Sequence, residues 1–187
     1  MADKVKFSVR KVHYAVITRD ESGKVTFAAP VAIPGAVALS LEPQGEVTKF
    51  WADGICYFMT NSNNGYTGDL EVAYFPESFL KDVMGYTLGS TSKVLTENAN
   101  VQPKEFALLF EEEGDATGTK FVMYNCASTR PTRQLKTKEE TKTPTTQKIS
   151  ITSTPLADGR VIAMSGADTP EATLNSWYTK VFEEAAS

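Results

Sequence analysis

The sequence contains one histidine, two cysteines and no apolar run of 18 residues that is free of proline, glycine and charge. A single imidazole, His13, excludes a histidine-rich metal site and leaves little room for a histidine-based catalytic triad. The longest apolar stretch, Ala28 to Leu41, is interrupted by Pro30, Pro34 and Gly35, so we expect no membrane span. The first residues lack the apolar core of a signal peptide, which favours folding in a cytoplasm.

Positive charge is also in deficit: the chain has 19 Lys and Arg residues and 23 Asp and Glu residues, which gives a net charge of −4. An acidic chain is a poor candidate for tight, charge-driven binding of nucleic acid. Cys56 and Cys126 fit reduced, buried thiols, although the sequence leaves a disulfide between them open. We therefore expect neither a metal nor another cofactor.

Branched side chains are plentiful, since 43 of the 187 residues are Thr, Val or Ile. These residues suit a pleated sheet better than a helix, and the length suits one domain spanning residues 1–187. Alternating segments on either side of turn residues predict three hairpins. Their paired segments are Val12 to Thr18 with Val25 to Ala28, Phe106 to Glu111 with Thr119 to Ala127, and Lys148 to Ser153 with Arg160 to Ala163.

Three further predicted strands lie between the first two hairpins. Val37, Leu39 and Leu41 alternate with polar or small residues, so we expect them to share one face. Strands at Ile55 to Thr60 and Leu70 to Phe75 flank a turn cluster that contains the pair Asn64-Gly65, which tolerates the positive φ of a tight hairpin turn. The members of this turn motif are Asn63, Asn64, Gly65, Tyr66, Gly68 and Asp69.

Two segments have helical spacing instead. The first runs from Pro76 to Gly85 and has the expected proline at its start and glycine at its end. The second covers about residues 170–183, with Thr169 as the predicted N-cap and Pro170 in the first turn. Its apolar stripe predicts core or a subunit interface and consists of Leu174, Trp177, Tyr178, Val181 and Phe182.

A basic segment from Arg130 to Lys148 has six positive and two negative side chains, a net charge of +4. It contains two prolines and no aromatic residue, so we expect a long extended loop at about residues 130–147 rather than a nucleic-acid grip. A solvated loop and an arm that reaches a neighbouring subunit are both open. If the segment is an inter-subunit arm, the residues expected to contact the neighbouring subunit are Arg130, Arg133, Lys136, Lys138 and Lys142.

Catalytic interpretations of the remaining polar residues are weak. His13, Ser8 and Asp20 have the residue types of a triad, but a five-residue spacing in one strand predicts opposite faces for Ser8 and His13. The run Glu111, Glu112 and Glu113 is typical of solvated acids near a hairpin tip. We therefore expect no enzymatic activity.

Several motifs in this order resemble the major tail proteins, or tail tube proteins, of long-tailed phages and prophages of Gram-positive bacteria. The stretch from Asn63 to Glu71 is the most distinctive, and the likeness runs from about Lys4 to Phe182. The other motifs are Val12-His13-Tyr14-Ala15, Pro34 to Leu41, Phe50-Trp51-Ala52-Asp53, Phe106 to Glu111, Tyr124-Asn125-Cys126, Arg130-Pro131 and Ser176-Trp177-Tyr178.

The resemblance implies a structural virion protein of the phage tail, assembled in the bacterial host cytoplasm. The implied fold is mainly β, a two-sheet β-sandwich or partial barrel of the tail tube type with one short flanking helix, to which the residue spacing adds the C-terminal helix. Members form rings, generally hexameric, that stack into a tube around the tape measure protein and meet tail-end proteins. DNA passes through the tube without specific binding, and no membrane is involved.

Charge suggests how copies could meet. The span Glu97 to Asp115 has a net charge of −5, so its acidic residues, Glu111, Glu112 and Glu113 among them, complement the basic segment of a neighbouring copy. Edge strands of an open sheet could pair between copies as well. The alternative function is a monomeric β-sandwich binding module of carbohydrate-binding or adhesin type, which would use Trp51, Tyr57 and Tyr66.

Overall fold

The structure, a computed structural model, describes residues 8–114, 118–135, 137 and 144–184. The fold is mainly β, as predicted, with 47% of the described residues in strands and 7% in helices. The strands are β1 (Ser8–Arg19), β2 (Val25–Phe27), β3 (Val31–Ala32), β4 (Ala36–Gln44), β5 (Val47–Ala52), β6 (Ile55–Asn61), β7 (Gly65–Val72), β8 (Thr87–Leu88), β9 (Leu95–Thr96), β10 (Phe106–Glu113), β11 (Lys120–Ser128), β12 (Gln147–Ser153) and β13 (Ile162–Met164). The helices are α1 (Glu77–Asp82) and α2 (Glu171–Ser176).

One large antiparallel sheet of nine strands organises the chain. Its path is β2-β1-β10-β11-β12-β7-β4, with β3 also paired to β1 and β13 also paired to β11. The last strand, β4, comes back beside β1, so the sheet curls around its contents. The two remaining sheets are the hairpins β5-β6 and β8-β9.

The main core lies inside this curl. Tyr14, Leu70, Phe79 and Phe106 are fully buried there together with side chains from β11 and β12. Helix α1 contributes Phe79, whose ring stacks on Phe75 with centroids 5.0 Å apart and meets Phe106 edge-on at 5.8 Å. The predicted first helix is thus confirmed, and it closes the main core.

A second cluster covers the opposite face of β1, β10 and β11. Trp177 and Val181 from the C-terminal segment bury Leu109, Val122 and Tyr124 on these strands. Lys120 fastens the segment, because its Nζ donates to the carbonyl oxygen of Leu174 at 2.6 Å.

The predicted C-terminal helix of about residues 170–183 is wrong in length, because α2 ends at Ser176. The Ser176 hydroxyl donates to the Thr173 carbonyl at 3.1 Å, and the Thr179 hydroxyl donates to Ser176 at 2.8 Å. Such side-chain bonds compete with the helical ladder. The predicted N-cap is wrong too, since Thr169 Oγ1 accepts from the Gly166 amide and Pro170 precedes the helix.

Two of the three predicted hairpins are confirmed as β1-β2 and β10-β11. The third is wrong, because β12 and β13 do not pair with each other. Both pair with the same edge of β11, β12 at Cys126–Ser128 and β13 at Phe121–Met123. They lie end to end along β11, and the loop that contains Asp158-Gly159 connects them.

A bulge changes the predicted face of β4. Leu39 and Leu41 pack against the main core as expected, but Val37 is the extra residue between the pairs of Ala36 and Ala38 and is 54% exposed. The two-residue alternation therefore fails at Val37, since a bulge shifts the phase of a strand by one residue.

Gly68 lies on β7, which runs between β4 and β12 in the main sheet. A substitution at Gly68 therefore tests how closely β7 packs against β4. A Cβ atom at Gly68 would lie 1.8 Å from the carbonyl oxygen of Ser40. We expect Gly68→Ala to lower the free energy of unfolding by about 1–3 kcal/mol, as overpacking does. Thermal unfolding should show a loss of about 2–4 °C per kcal/mol.

The matched control is Gly166→Ala, where a Cβ atom would meet nothing closer than Thr169 Oγ1 at 3.9 Å. Equal melting temperatures for the two variants would contradict the tight approach of β7 to β4.

Candidate assembly surface

The β5-β6 hairpin extends the β4-β7 pair beyond the main sheet. Backbone bonds continue through the junction, where the Asn64 amide donates to Gln44 at 2.7 Å and the Ser62 amide donates to Glu46 at 3.0 Å. Strand β5 then pairs with β6 up to Ala52 and Ile55. At about 3.3 Å per residue, the six residues of β5 reach roughly 20 Å from the sheet.

Asp53 and Gly54 form the turn at the tip of this hairpin, with φ of 52° and 76°. Two consecutive residues of positive φ make the turn that suits the twist of two paired strands, and Asp-Gly is a preferred sequence for it. Aromatic and branched residues precede and follow the turn. The pair Asp53-Gly54 is thus a local sequence signal that could have located this hairpin, of which the predicted strands include β6, as Ile55 to Thr60, but not β5.

The prediction that Asn64-Gly65 forms a tight hairpin turn is wrong. Strands β6 and β7 do not pair with each other, because β6 pairs with β5 while β7 pairs with β4 and β12. The motif instead forms an elbow between the main sheet and the hairpin. Asn63 Oδ1 accepts from the Gly65 amide at 3.0 Å, and a Cβ atom on Gly65 would lie 1.9 Å from Ser153 O.

The rest of the motif belongs to β7. Tyr66 is half-buried against the main core, and Gly68 permits the close approach of β4. Asp69 accepts from the Ser150 hydroxyl at 2.7 Å and pairs with Lys148 Nζ at 2.8 Å. The hydrogen bonds from Lys148 and Ser150 lower the pKa of Asp69. All of these contacts position β7 within the sheet.

Both faces of the hairpin are apolar and exposed. Phe50 lies opposite Phe58 on one face, and Lys49 lies opposite Met59 on the other, because cross-strand partners share a face. Tyr57 is the extra residue of a bulge. The large apolar side chains that are 55–71% exposed are Val47, Phe50, Trp51, Ile55, Tyr57, Phe58 and Met59.

Charge is nearly missing from this hairpin, in which Lys49 and Asp53 are the charged residues and cancel each other. Soluble monomers rarely expose so continuous an apolar surface, and an isolated two-stranded hairpin is marginally stable in water. The hairpin is therefore the part of the described chain best suited to contact another protein surface.

One of the two cysteines differs from the prediction. Both are free, but Cys56 is exposed on the hairpin, and only Cys126 is buried as expected. Burial raises the pKa of Cys126 to about 12, so this thiol stays protonated. Cys56 is exposed because its apolar strand leaves the core.

A groove of about 620 Å³ opens where β4 approaches β1. It includes the stacked rings of Phe110 and Phe121, whose centroids are 5.0 Å apart. Glu112 is the charged residue of its lining. Its apolar lining includes Val9, Val37, Ala38, Leu41, Phe121 and Ile162 in addition to Phe110.

The three predicted acidic residues differ in their surroundings. Glu111 is buried, receives Arg10 Nη2 at 2.6 Å and Lys11 Nζ at 3.1 Å, and accepts from the Tyr178 hydroxyl at 3.3 Å. Burial alone would raise the pKa of Glu111, but the hydrogen bonds and charges of Lys11 and Arg10 outweigh it and lower the pKa. Glu111 is thus satisfied within its own chain.

The other two acids lie at the end of β10. Glu113 is half-exposed and accepts from the Ser8 hydroxyl at 2.9 Å, while Glu112 borders the groove. The inter-subunit role predicted for the acidic run stays a prediction. Glu111 is buried, so its charge is not accessible to a neighbouring copy.

A bulge in β1 also changes the predicted faces of Ser8 and His13. Lys11 has a φ of 52°, and the pairing shifts so that Ser8 lies opposite Glu113 and His13 opposite Leu109. Since Glu113 and Leu109 share a face of β10, Ser8 and His13 share it too, and the predicted opposite faces are wrong. His13 Nδ1 lies 2.7 Å from the Lys11 carbonyl oxygen, whereas the Ser8 hydroxyl bonds to Glu113.

The basic segment begins alongside β12, where the Thr129 and Thr132 amides donate to Ser150 and Lys148, each at 2.9 Å. Arg130 pairs with Glu97 of the same chain, and Arg133 is exposed. The remaining predicted residues, Lys136, Lys138 and Lys142, lie outside the described residues. The structure thus brings Arg130 to one acid of the predicted span, and the contact with a neighbouring copy stays a prediction.

No protein-family model matches the chain, and no curated protein matches it. Neither helix in the described ranges is long and apolar enough to cross a membrane. Within those same ranges, His, Cys, Asp and Glu side chains form no group of three or more that could hold a metal ion.

We expect Glu111→Gln to lower the free energy of unfolding by about 1–3 kcal/mol, because it leaves two cations facing a neutral amide. Since the pKa of Glu111 is lowered in the folded state, its contribution is present above its ordinary pKa of about 4.3 and is lost as the pH falls through the folded value. Urea unfolding at neutral pH and below pH 4 should therefore show a difference between wild type and variant that shrinks with acid.

Glu113→Gln is the matched control, since that side chain is 51% exposed and its ion pair should contribute no more than about 1 kcal/mol. A Glu111→Gln effect that did not exceed the control would contradict the buried network.

Proposed function

We propose that this chain is a structural subunit that self-assembles into stacked rings, hexameric by the family resemblance, which form the tube of a phage tail. The single observation that carries the proposal is the β5-β6 hairpin, whose two faces expose apolar side chains to solvent. Such a surface supports association rather than catalysis.

The size of the hairpin is adequate for a stable contact. Its four aromatic side chains, each able to bury about 150–250 Å², are roughly three-fifths exposed and supply about 400–600 Å². Val47, Ile55 and Met59 add to that area, and a standard interface buries about 800 Å² on each partner. At about 25 cal/mol per Å², apolar burial of this extent is a substantial driving force.

The free edge of the main sheet is a weaker candidate. Strand β4 ends the path of the sheet, but it carries a bulge at Val37 and a proline at position 43. Bulges and prolines protect edges against pairing with another chain. We therefore assign the main contact to the hairpin rather than to pairing along β4.

The acidic charge supports a conduit. DNA carries one negative charge per roughly 1.7 Å of helix, so a basic lumen would hold it while an acidic one releases it. The net charge of −4 has the appropriate sign. The tape measure protein and tail-end proteins are the further partners in this proposal, and the virion tail, assembled in the bacterial cytoplasm, is the location.

Electrostatic contact between the basic segment and acids of a neighbouring copy is a secondary part of the proposal. Arg133 and the exposed Glu113 are charges of opposite sign on separate parts of the surface. Attraction of this kind should weaken with salt, since screening is strong beyond about 10 Å at 0.1 M.

The alternative is a monomeric carbohydrate-binding or adhesin-like module, which the exposure of Trp51 and Tyr57 favours. Sugar sites combine such rings with polar groups that bind hydroxyls. Here Trp51 lies opposite Cys56 and the adjacent Phe50 lies opposite Phe58, so the surroundings of these rings are apolar and a protein surface is the better partner.

Replacing residues 47–61 by Asn-Gly tests the proposal, because the backbone bond between Ser62 and Glu46 leaves a ladder that a two-residue turn can close. We expect the wild type to form rings or tubes in electron micrographs of concentrated protein, and the shortened variant to stay monomeric in light scattering. Circular dichroism should show that the shortened variant keeps its sheet.

A wild-type chain that remains monomeric at millimolar concentration would contradict the proposal. So would a folded, shortened variant that assembles as well as the wild type.

A further inference from the structure

We propose that the groove between β4 and β1 receives the apolar hairpin of a second copy of this chain. This inference rests on the proposed self-assembly and names the surface that the hairpin would contact. The partner is thus defined chemically as a β5-β6 hairpin that presents Trp51 and its aromatic neighbours.

The groove marks a place where the core is incomplete. Val9, Leu41, Phe121 and Ile162 pack against the main core but are only partly buried, because β4 approaches β1 there without pairing to it. Val37, raised by the bulge, stands over the same opening and is 54% exposed. Apolar side chains from outside would complete the burial that the chain itself leaves unfinished.

The chemistry of the two surfaces matches. Glu112 is the charged side chain of the groove lining, and the hairpin contributes Lys49 and Asp53, one at a cross-strand pair and one at the tip. The side chains that would enter the groove are uncharged, and the few charges nearby, Glu112 and Lys49, are of opposite sign, so the desolvation cost of the contact is limited. A volume of about 620 Å³ admits several large side chains.

The two surfaces also lie at different places on one chain. The groove borders the first half of β4, from Val37 to Leu41, whereas the hairpin leaves from the far end of β4 beyond Gln44. The hairpin is exposed, so it does not fill its own groove. A contact between two different patches is heterologous and leads to rings or open stacks.

Two complementary variants test this assignment. Trp51→Glu places a charge on the hairpin and leaves the groove unchanged, whereas Val37→Glu places a charge in the groove and leaves the hairpin unchanged. Both residues are more than half exposed, so both variants should fold. Surface plasmon resonance, with wild type and each variant both immobilised and in solution, measures the affinity of every pair. We expect each variant to bind itself at least tenfold more weakly than wild type binds wild type, and the mixed pair to regain affinity close to that of wild type.

Val94→Glu is the matched control, because Val94 is 57% exposed but lies outside both the hairpin and the groove. Ala38→Glu serves as a second groove variant, since Ala38 is exposed and lines the groove, and melting curves check that every variant is folded. Agreement between Val37→Glu and Ala38→Glu, with Val94→Glu like wild type, would support the groove.

The outcomes separate this inference from the function on which it rests. If wild type does not bind itself, both are overturned. If wild type binds itself but Val37→Glu and Ala38→Glu bind as wild type does, the hairpin contacts another surface and only the groove assignment is overturned. If the mixed pair is as weak as Trp51→Glu with itself, Trp51 and Val37 do not lie on opposite sides of one contact, and the groove assignment is likewise overturned.

Discussion

The backbone hydrogen bonds that join the β4-β7 pair to the hairpin across the elbow are the constraint on which the rest of the structure depends. Because Asn64 still bonds to Gln44 and Ser62 to Glu46, the hairpin is an extension of the main sheet and not a separate loop. The hairpin continues from β4 and β7, but beyond the elbow its side chains no longer contact the core. Its side chains are then apolar on both faces with nothing in the described chain to cover them, which makes association the natural way to stabilise it.

The remainder of the fold is able to support such an extension. The main core and the second cluster bury opposite faces of β1 and β10, so these strands are held from both sides. Glu111 adds a polar contact between the bulge of β1 and the C-terminal segment through Tyr178, whose pKa is raised by burial and by the Glu111 carboxylate. The hydroxyl therefore remains a donor, and the segment is fixed by charge as well as by apolar contact.

Local signals predicted the parts of this fold that local interactions decide. Proline and glycine delimit α1, and only a few residues of sequence separate the two strands of each confirmed hairpin, β1-β2 and β10-β11, so neighbouring residues were sufficient there. The partners of β12 and β13 depend on the distant β11, and the elbow at Gly65 depends on Ser153 and Gln44. The exposed apolar surface escaped prediction because an aromatic run such as Ile55 to Thr60 has the same pattern in a buried strand, and its burial is decided only by what packs on it.

In the proposed contact, each chain carries both a hairpin and a groove, which would let association continue beyond two copies. If the hairpin of one copy enters the groove of the next, the second copy still has a free hairpin and the first a free groove, so each contact leaves another to be made. Growth of this kind ends when a ring closes or continues as a stack. The net charge of −4 on each copy opposes random aggregation, since like-charged subunits repel over several ångströms, while the nearly neutral hairpin carries little of that repulsion. The distribution of charge therefore favours the directed contact over disordered ones.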